Sequence, residues 1–179
     1  MRIEHTKIGR VLLLGVLSAT MAWGLSCQPP VTSGLTQEEA DRILSTYREA
    51  RNTANLDLLD QIFDPAVVVH DCSAPAVIRG LDSLKAYYQD SHTGLPDFKI
   101  TFDEVLVSGD NIIGRWTITA THTGLLHRIP PAGKSVRFSG LAIDRVAKGK
   151  IVEEWVYFNM LDLLQQLGFS LTPPSPPGT

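Results

Sequence analysis

In the predicted domain, three histidines lie at predicted strand ends or in a long loop: His70, His122 and His127. Imidazole titrates near neutral pH, which suits it to general acid/base catalysis. His70 ends a β-branched run, and alternation places His122 on the same strand face as Trp116. We predict His70 and His122 as acid/base groups that open toward one cavity lined by Trp116. For each histidine alone, the competing interpretation is a hydrogen-bonded place in the core or at the rim. His127, in a proline-containing loop, is interpreted as a lid or solvated residue.

The stretch 151–169 predicts a strand that runs directly into a short helix, with Asn159 at the junction. Alternation divides this strand into two faces. One face is aromatic with polar tips and is expected to form a pocket wall, from Glu153, Trp155, Tyr157 and Asn159. The other is mostly apolar and is expected to pack against another sheet or subunit, through Val152, Glu154, Val156 and Phe158. Glu154 is interpreted as a solvent-facing or ion-paired carboxylate, and Asn159 is predicted to hydrogen-bond a substrate oxygen.

The sequence carries no motif for a metal or an organic cofactor. It has no H-x-x-x-H, HExxH or Cys/His cluster, no G-x-S-x-G and no phosphate- or dinucleotide-binding loop. We therefore predict no metal site and no cofactor. The net charge of -3, with no basic run beyond the first ten residues, does not favour a nucleic-acid partner. Cys72 is interpreted as a small side chain beside a strand end, with a Cys27–Cys72 bridge as the alternative.

The N-terminus has the pattern of a secretory signal. A basic segment precedes an uncharged apolar run, 11–25, which is short for a membrane span. Small residues before Cys27 favour cleavage there, and the cysteine resembles a bacterial lipoprotein box in which the thiol is lipidated. We predict export to the cell envelope with a lipid anchor at Cys27. Ordinary cleavage and an uncleaved membrane anchor are the alternatives.

Helical and alternating patterns divide the rest of the chain. We predict a signal peptide, a linker, one domain and a disordered proline-rich tail, at 1–26, 27–35, 36–169 and 170–179. Thr36 and Glu39 form a capping box that begins the first helix. Further helices are predicted at 56–63, 81–90 and 160–167, and strands at 66–70, 98–107, 112–123, 135–146 and 151–158. This order favours an α+β fold in which a curved antiparallel sheet and N-terminal helices form a cone around a pocket.

Five blocks in this order carry a family resemblance: DPAVVVHD (64–71), GDNIIGRW (109–116), THTG (121–124), PPAGKSVRFSG (130–140) and GKIVEEWVYFNMLDLLQQLG (149–168). Together they resemble the SnoaL-like polyketide cyclases, which belong to the superfamily of nuclear transport factor 2. The resemblance implies an α+β cone with a deep apolar pocket for a small hydrophobic ligand. It also implies frequent dimers through the sheet, so a homodimer is a further expectation.

The resemblance also implies a chemistry. Family cyclases close a ring by intramolecular aldol condensation without a metal or cofactor, using an aspartate at the strand-to-helix junction as acid/base. His70 and His122 match positions that are commonly histidine, whereas Asn159 stands where the aspartate is expected. An amide cannot accept and return a proton as a carboxylate does. Two functions are therefore predicted: an enzyme acting on a hydrophobic carbonyl compound, with His122 or His70 as base, or a ligand-binding or structural lipoprotein without the chemistry.

Overall fold

The computed structural model describes residues 34–172, which fall within one compact unit. The predicted signal peptide, 1–26, and the predicted lipidation site, Cys27, lie outside the described residues. Most of the predicted linker and the end of the predicted tail, 173–179, lie outside them as well. Among the residues described, none of the helices has the length and apolar character needed to cross a bilayer.

The helices begin and end at the residues that local chemistry favours. The Thr36 side chain accepts a hydrogen bond from the Glu39 N–H at 3.2 Å, and Glu39 Oε2 accepts one from the Thr36 N–H at 2.9 Å. The last helix ends at Gly168, whose φ of 103° lies in the left-handed region that glycine adopts without strain. The helical elements are α1 (Gln37–Thr53), a 3-10 helix (Leu56–Gln61), α2 (Leu81–Gly94) and α3 (Met160–Leu167).

The strands form one mixed sheet, which corrects the predicted antiparallel one. They are β1 (Phe63–Asp71), β2 (Ile78–Arg79), β3 (Lys99–Ser108), β4 (Asn111–Thr121), β5 (Ser135–Ala147) and β6 (Lys150–Phe158). Their order in the sheet is β2-β1-β6-β5-β4-β3. β1 runs parallel to β6, with Val69 opposite Glu154, whereas the other neighbours are antiparallel. β2 lies in a stretch predicted as loop, because two residues are too few to show alternation.

Two groups of buried side chains hold the helices on the sheet. One group joins α1, α2 and β1 through residues such as Ile43, Leu84 and Val67. The other joins β4, β5 and α3 through residues such as Trp116 and Leu163. The sheet is curved and unclosed, with the helices on its inner face, so the predicted α+β class is confirmed. This arrangement leaves a hollow between the two groups.

Candidate functional site

A cavity of about 240 Å³ lies between the helices and the inner face of the sheet. Its walls are mostly apolar and aromatic, with Phe98, Trp116, Phe138 and Phe158 among them. The polar side chains in the lining are Tyr47, Arg51, Asp71, Ser73, Tyr87, Tyr88, Ser91, His127, Asp144 and Glu154. A mostly apolar pocket with a few polar groups is the usual form of a small-molecule site.

Two buried carboxyl groups stand side by side in this cavity. Asp144 on β5 and Glu154 on β6 occupy directly paired positions and are 3% and 2% exposed. Burial raises the pKa of Asp144 to about 7, and the neighbouring Glu154 carboxyl acts against that shift. Burial and then the charge of Asp144 raise the pKa of Glu154 well above its ordinary value. Because two adjacent buried carboxyls resist carrying two charges, the pair keeps at least one proton near neutral pH.

Two tyrosine hydroxyls extend the acid pair into a hydrogen-bonded chain. The Tyr88 hydroxyl donates to Oε2 of Glu154 at 3.4 Å. It also lies 2.9 Å from the Tyr47 hydroxyl. Burial raises the pKa of both phenols above the ordinary value, so both stay protonated. The acid pair therefore has a fixed hydrogen-bond donor beside it.

The guanidinium of Arg51, near the end of α1, lies in the same wall of the cavity. Its Cζ atom is 3.5 Å from the centroid of the Tyr88 ring and 4.6 Å from that of Phe98. Such contacts between a cation and aromatic faces are attractive. Within residues 34–172, Nε and Nη1 of Arg51 have no hydrogen-bond partner, although the residue is only 5% exposed. The cavity thus combines one fixed positive charge with an acid pair that shares a proton.

His127 holds the proline-containing loop, 124–134, against α2. Its Nδ1 lies 2.7 Å from Oδ2 of Asp90, and its Nε2 lies 3.3 Å from Oγ of Ser91. Its ring stacks on Tyr87, with the centroids 4.6 Å apart and the planes at 17°. The loop therefore lies over one side of the cavity, with His127 in the lining.

The match to known families covers the whole of this site. Residues 41–167 match the model for SnoaL-like polyketide cyclase. That stretch is most of the chain and includes every residue of the cavity lining. The chain belongs to the SnoaL-like polyketide cyclase family. Comparison with curated proteins gives no match.

Solved structures similar to this SnoaL-like domain show the same fold. TsrD from Streptomyces laurentii is 24% identical, with a TM-score of 0.69 over 75% of this chain and 98% of that one. IdmH from Streptomyces antibioticus, a proposed polyketide cyclase, is 25% identical, with a TM-score of 0.63 over 74% and 99%. An LEH-like epoxide hydrolase of M. tuberculosis is 18% identical, with a TM-score of 0.58 over 73% and 90%.

Three of the residues predicted for the site of this SnoaL-like protein lie on the outer face of the sheet. His70 Nε2 is 3.0 Å from Oε1 of Glu153, and its ring stacks on Trp155 at a centroid distance of 5.4 Å. Tyr157 is 55% exposed. The two faces of β6 are divided as predicted, but their assignment is reversed and the predicted pocket wall is wrong. Aromatic side chains with polar tips also suit a half-exposed sheet face, which is where these lie.

His122 directly follows β4 and continues the inner face that carries Trp116, but only Trp116 reaches the cavity lining. His122 is fully buried beneath the proline-containing loop, where its Nδ1 accepts a hydrogen bond from the Ala132 N–H at 3.2 Å. The predicted meeting of His70 and His122 at one cavity is therefore wrong. One of them lies on the outer face, and the other anchors a loop.

Asn159 serves the helix that follows it. Its Oδ1 accepts a hydrogen bond from the Asp162 N–H at 3.1 Å, which makes it the N-cap of α3. The residue is exposed and is not part of the cavity lining. This contradicts its predicted contact with a substrate oxygen.

The sequence-based interpretation missed two charged residues of the cavity, Arg51 and Asp144. It also placed Glu154 wrongly, because this carboxyl is buried in the cavity wall and neither faces solvent nor forms an ion pair among the described residues. A signal for Asp144 exists, because it follows the apolar alternation of Val136, Phe138, Gly140 and Ala142 and so falls on the inner face. Arg51 likewise continues the inward stripe of α1, at helical spacing from Leu44 and Tyr47. In both places a charged residue occupies a position where the pattern requires burial.

Proposed function

We propose that this SnoaL-like protein is a cofactor-free acid/base enzyme that acts on a small hydrophobic carbonyl compound. The observation that carries the proposal is the pair Asp144 and Glu154, buried together in an apolar cavity. An ionised carboxylate beside a protonated one offers a base and an acid at the same place. Membership of the cyclase family supports the same class of chemistry.

The acid pair suits proton removal from a carbon next to a carbonyl group. One carboxylate takes the proton, the electron pair of the C–H bond moves through the C–C bond to the carbonyl oxygen, and an enolate forms. If the same molecule carries a second carbonyl, the enolate carbon attacks it and a new C–C bond closes a ring. The proton held by the pair then passes to the new alkoxide oxygen. The apolar walls exclude water and strengthen the electrostatic interactions of these steps.

Deuterium exchange tests the proposal without knowledge of the natural substrate. The probe is 2-tetralone in D2O, a two-ring ketone, with loss of its α-proton signals followed by NMR. We expect the wild type to accelerate exchange over buffer, and Asp144→Asn and Glu154→Gln each to reduce the acceleration by about a hundredfold. His70→Ala, on the outer face, is the matched control and should keep the wild-type rate. Equal rates in the wild type and both carboxyl variants would refute the proposal.

Binding without turnover is the second candidate, and the predominantly apolar lining favours it. A protein of this kind would shelter a hydrophobic molecule and leave it unchanged. The same probe separates the two candidates. Tight binding of 2-tetralone, with exchange no faster than in the double variant Asp144→Asn/Glu154→Gln, would identify a binding protein.

We also propose export with a lipid anchor at Cys27, on the evidence of the N-terminal sequence. The intact mass of the mature protein from a bacterial host decides this point. The expected mass begins at Cys27 and includes acyl chains, and Cys27→Ala should release the protein from the membrane fraction. A mature protein that begins at Cys27 without acyl chains would indicate ordinary signal cleavage instead.

A homodimer through the outer face of the sheet remains part of the proposal. Leu141 and Tyr157 lie opposite each other on β5 and β6 and are 36% and 55% exposed. Apolar side chains on an open sheet face support such a contact. Tyr157→Glu should convert the dimer to a monomer in light scattering, and a wild type that is already monomeric would refute the dimer.

A further inference from the structure

A buried cation without a polar partner is the least expected feature of the cavity. Arg51 is 5% exposed, and its Nε and Nη1 atoms have no hydrogen-bond partner among the described residues. No carboxylate of the described residues lies within ion-pair distance of its side chain. The rings of Tyr88 and Phe98 lie against the guanidinium, but they cannot accept its N–H groups as an oxygen would.

Packing alone does not explain a guanidinium at this position. Burying a charge without hydrogen bonds is costly, and an apolar side chain of similar length would fill the same space without that cost. The unmet N–H groups are instead suited to an oxygen with a negative charge, which a guanidinium binds through two parallel hydrogen bonds. Arg51 lines the cavity, so the space in front of it is open to a ligand.

The last turn of α1 fixes the position of Arg51. The neighbouring Asn52 accepts a hydrogen bond from the Ile100 N–H at 2.7 Å and donates one to the Ile100 carbonyl oxygen at 3.1 Å. These two bonds attach α1 to β3. Tyr88 connects the cation to the acid pair, because its ring lies under Arg51 and its hydroxyl donates to Glu154. The cavity of about 240 Å³, which Arg51 and both acids line, has room for a ligand of two fused rings.

Charge balance in the cavity decides which kind of oxygen fits. With one proton on Asp144 and Glu154, the pair carries one negative charge, which Arg51 neutralises. The third acid of the lining, Asp71, is half-buried and accepts a hydrogen bond from Ser73 at 2.6 Å. His92 adds no charge, because burial and then the charge of Arg51 lower its pKa to about 4. A neutral ligand that gives a proton to the pair keeps the balance, whereas a carboxylate ligand adds a negative charge.

We propose that Arg51 binds the oxyanion of an enolised ligand, and that the ligand enters as a neutral two-ring ketone or enol and not as a carboxylic acid. The oxygen faces Arg51, and the proton passes to the pair Asp144 and Glu154. This inference rests on the proposed acid/base function and adds the class of ligand and the place of its oxygen. Arg51 is then a catalytic residue, since it contacts the oxygen on which charge develops.

Three probes of the same two-ring frame test the proposal at neutral pH: 2-naphthol, 2-methylnaphthalene and 2-naphthoate. Free 2-naphthol is un-ionised at that pH, so the absorbance band of naphtholate reports proton transfer in the bound state. We expect the wild type to bind 2-naphthol about tenfold or more tighter than either other probe, with the naphtholate band present. In Arg51→Met the band should be lost, and 2-naphthol and 2-methylnaphthalene should bind within about threefold of one another. The carboxylate 2-naphthoate should remain the weakest ligand, because no cation then balances its charge and that of the acid pair.

Arg48→Met removes an exposed cation from the same helix and is the matched control, with wild-type binding expected. Arg51→Gln, which keeps N–H donors but no charge, provides the test if Arg51→Met fails to fold. Thermal unfolding of the free protein gives a second readout. If Arg51 serves binding, its removal should leave the melting temperature unchanged or raise it, whereas a purely structural role predicts a lower melting temperature with unchanged probe selectivity.

The outcomes separate this inference from the proposed function. Equal binding of 2-naphthol and 2-methylnaphthalene by the wild type, or selectivity that survives in both Arg51 variants, overturns the oxyanion site and leaves the acid/base proposal standing. Selectivity that depends on Arg51, with no exchange of 2-tetralone by the wild type, supports the oxyanion site and overturns the acid/base proposal. If none of the naphthalene probes binds, the oxyanion site is overturned, and the exchange of 2-tetralone alone decides the acid/base proposal.

Discussion

At the scale of single residues, the cavity is defined by the acids and the cation that have lost contact with water. Asp144 and Glu154 share a proton because they are buried side by side, and Arg51 stays charged because a guanidinium does not lose its proton in proteins. Nothing in the residue types alone distinguishes these three from surface charges. What distinguishes them is their position in a pattern of apolar residues. This position is a weaker sign of function than a histidine at the end of a strand.

The acid pair predicts a pH dependence of stability. The pKa of Asp144 is raised by burial to about 7, so the folded protein binds more protons than the unfolded chain between the ordinary carboxyl range and that value. The free energy of unfolding should therefore fall as the pH rises from about 4 through about 7. Asp144→Asn should flatten this fall and, above neutral pH, should be more stable than the wild type by about 1 kcal/mol or more.

Urea unfolding across this pH range measures the effect. Glu38→Gln, which changes an exposed carboxyl on α1, is the control and should follow the wild-type profile. Parallel profiles for Asp144→Asn and the wild type would show that the fold does not raise the pKa of the Asp144 carboxyl.

At the scale of elements, local chemistry decides helix ends, and long-range pairing decides the sheet. The capping box at Thr36 and the glycine at position 168 mark helix boundaries that the sequence predicts correctly. The parallel pairing of β1 with β6 cannot be predicted from alternation, because strand direction depends on how the whole chain is connected. Alternation also does not show which face of β6 the helices cover, because each face carries both apolar and polar side chains.

Substitutions of Asn159 test its role as the N-cap of α3. Asn159→Ala removes the N-cap of α3 and should cost about 1 kcal/mol of stability, whereas Asn159→Asp keeps the cap and should cost little. Because the side chain is outside the cavity lining, both variants should retain the wild-type rate of 2-tetralone exchange. A large gain in the rate of 2-tetralone exchange in Asn159→Asp would contradict this and would indicate that residue 159 contacts the bound ligand.

Two glycines on the inner face of the sheet differ in how close their neighbours are. A Cβ at Gly140 would overlap the Trp116 ring and the Tyr157 carbonyl oxygen, whereas one at Gly114 would make ordinary contact with the Phe102 ring. Gly140→Ala should therefore destabilise the protein by about 2 kcal/mol and displace Trp116 from the cavity wall. Gly114→Ala, the matched control on the adjoining strand, should cost less than about 1 kcal/mol. Thermal unfolding, with tryptophan fluorescence for the wall, measures both.

At the scale of the whole molecule, the fold can be predicted from the sequence more fully than the residues that line its cavity. The fold is predictable because each helix and long strand has its own pattern and because five blocks in order carry the family resemblance. The site is less predictable, because it depends on side chains from α1, α2, β5 and β6 that meet only after folding. Histidines often act in catalysis, but here His70 lies on the outer face of the sheet and His122 anchors a loop.

Filling the cavity tests whether the fold depends on this open space. Ala142 lies in the cavity wall, so Ala142→Leu should abolish binding of 2-naphthol while the melting temperature stays within a few degrees of the wild type. Ala147→Leu, at an exposed position of the same strand, is the control. A loss of fold in Ala142→Leu would mean that the space is required for packing.

The pairing of β1 with β6 bears on how the molecule is made. While a ribosome is still producing the chain, β1 has only the two-residue β2 as a neighbour in this sheet, and its other edge stays open until β6 emerges. Glu154 arrives with that strand, so neither the acid pair nor a closed hollow exists in a nascent polypeptide. The acid pair can therefore form only after the ribosome has made β6, and a fragment that stops before Lys150 lacks Glu154 and the parallel partner of β1.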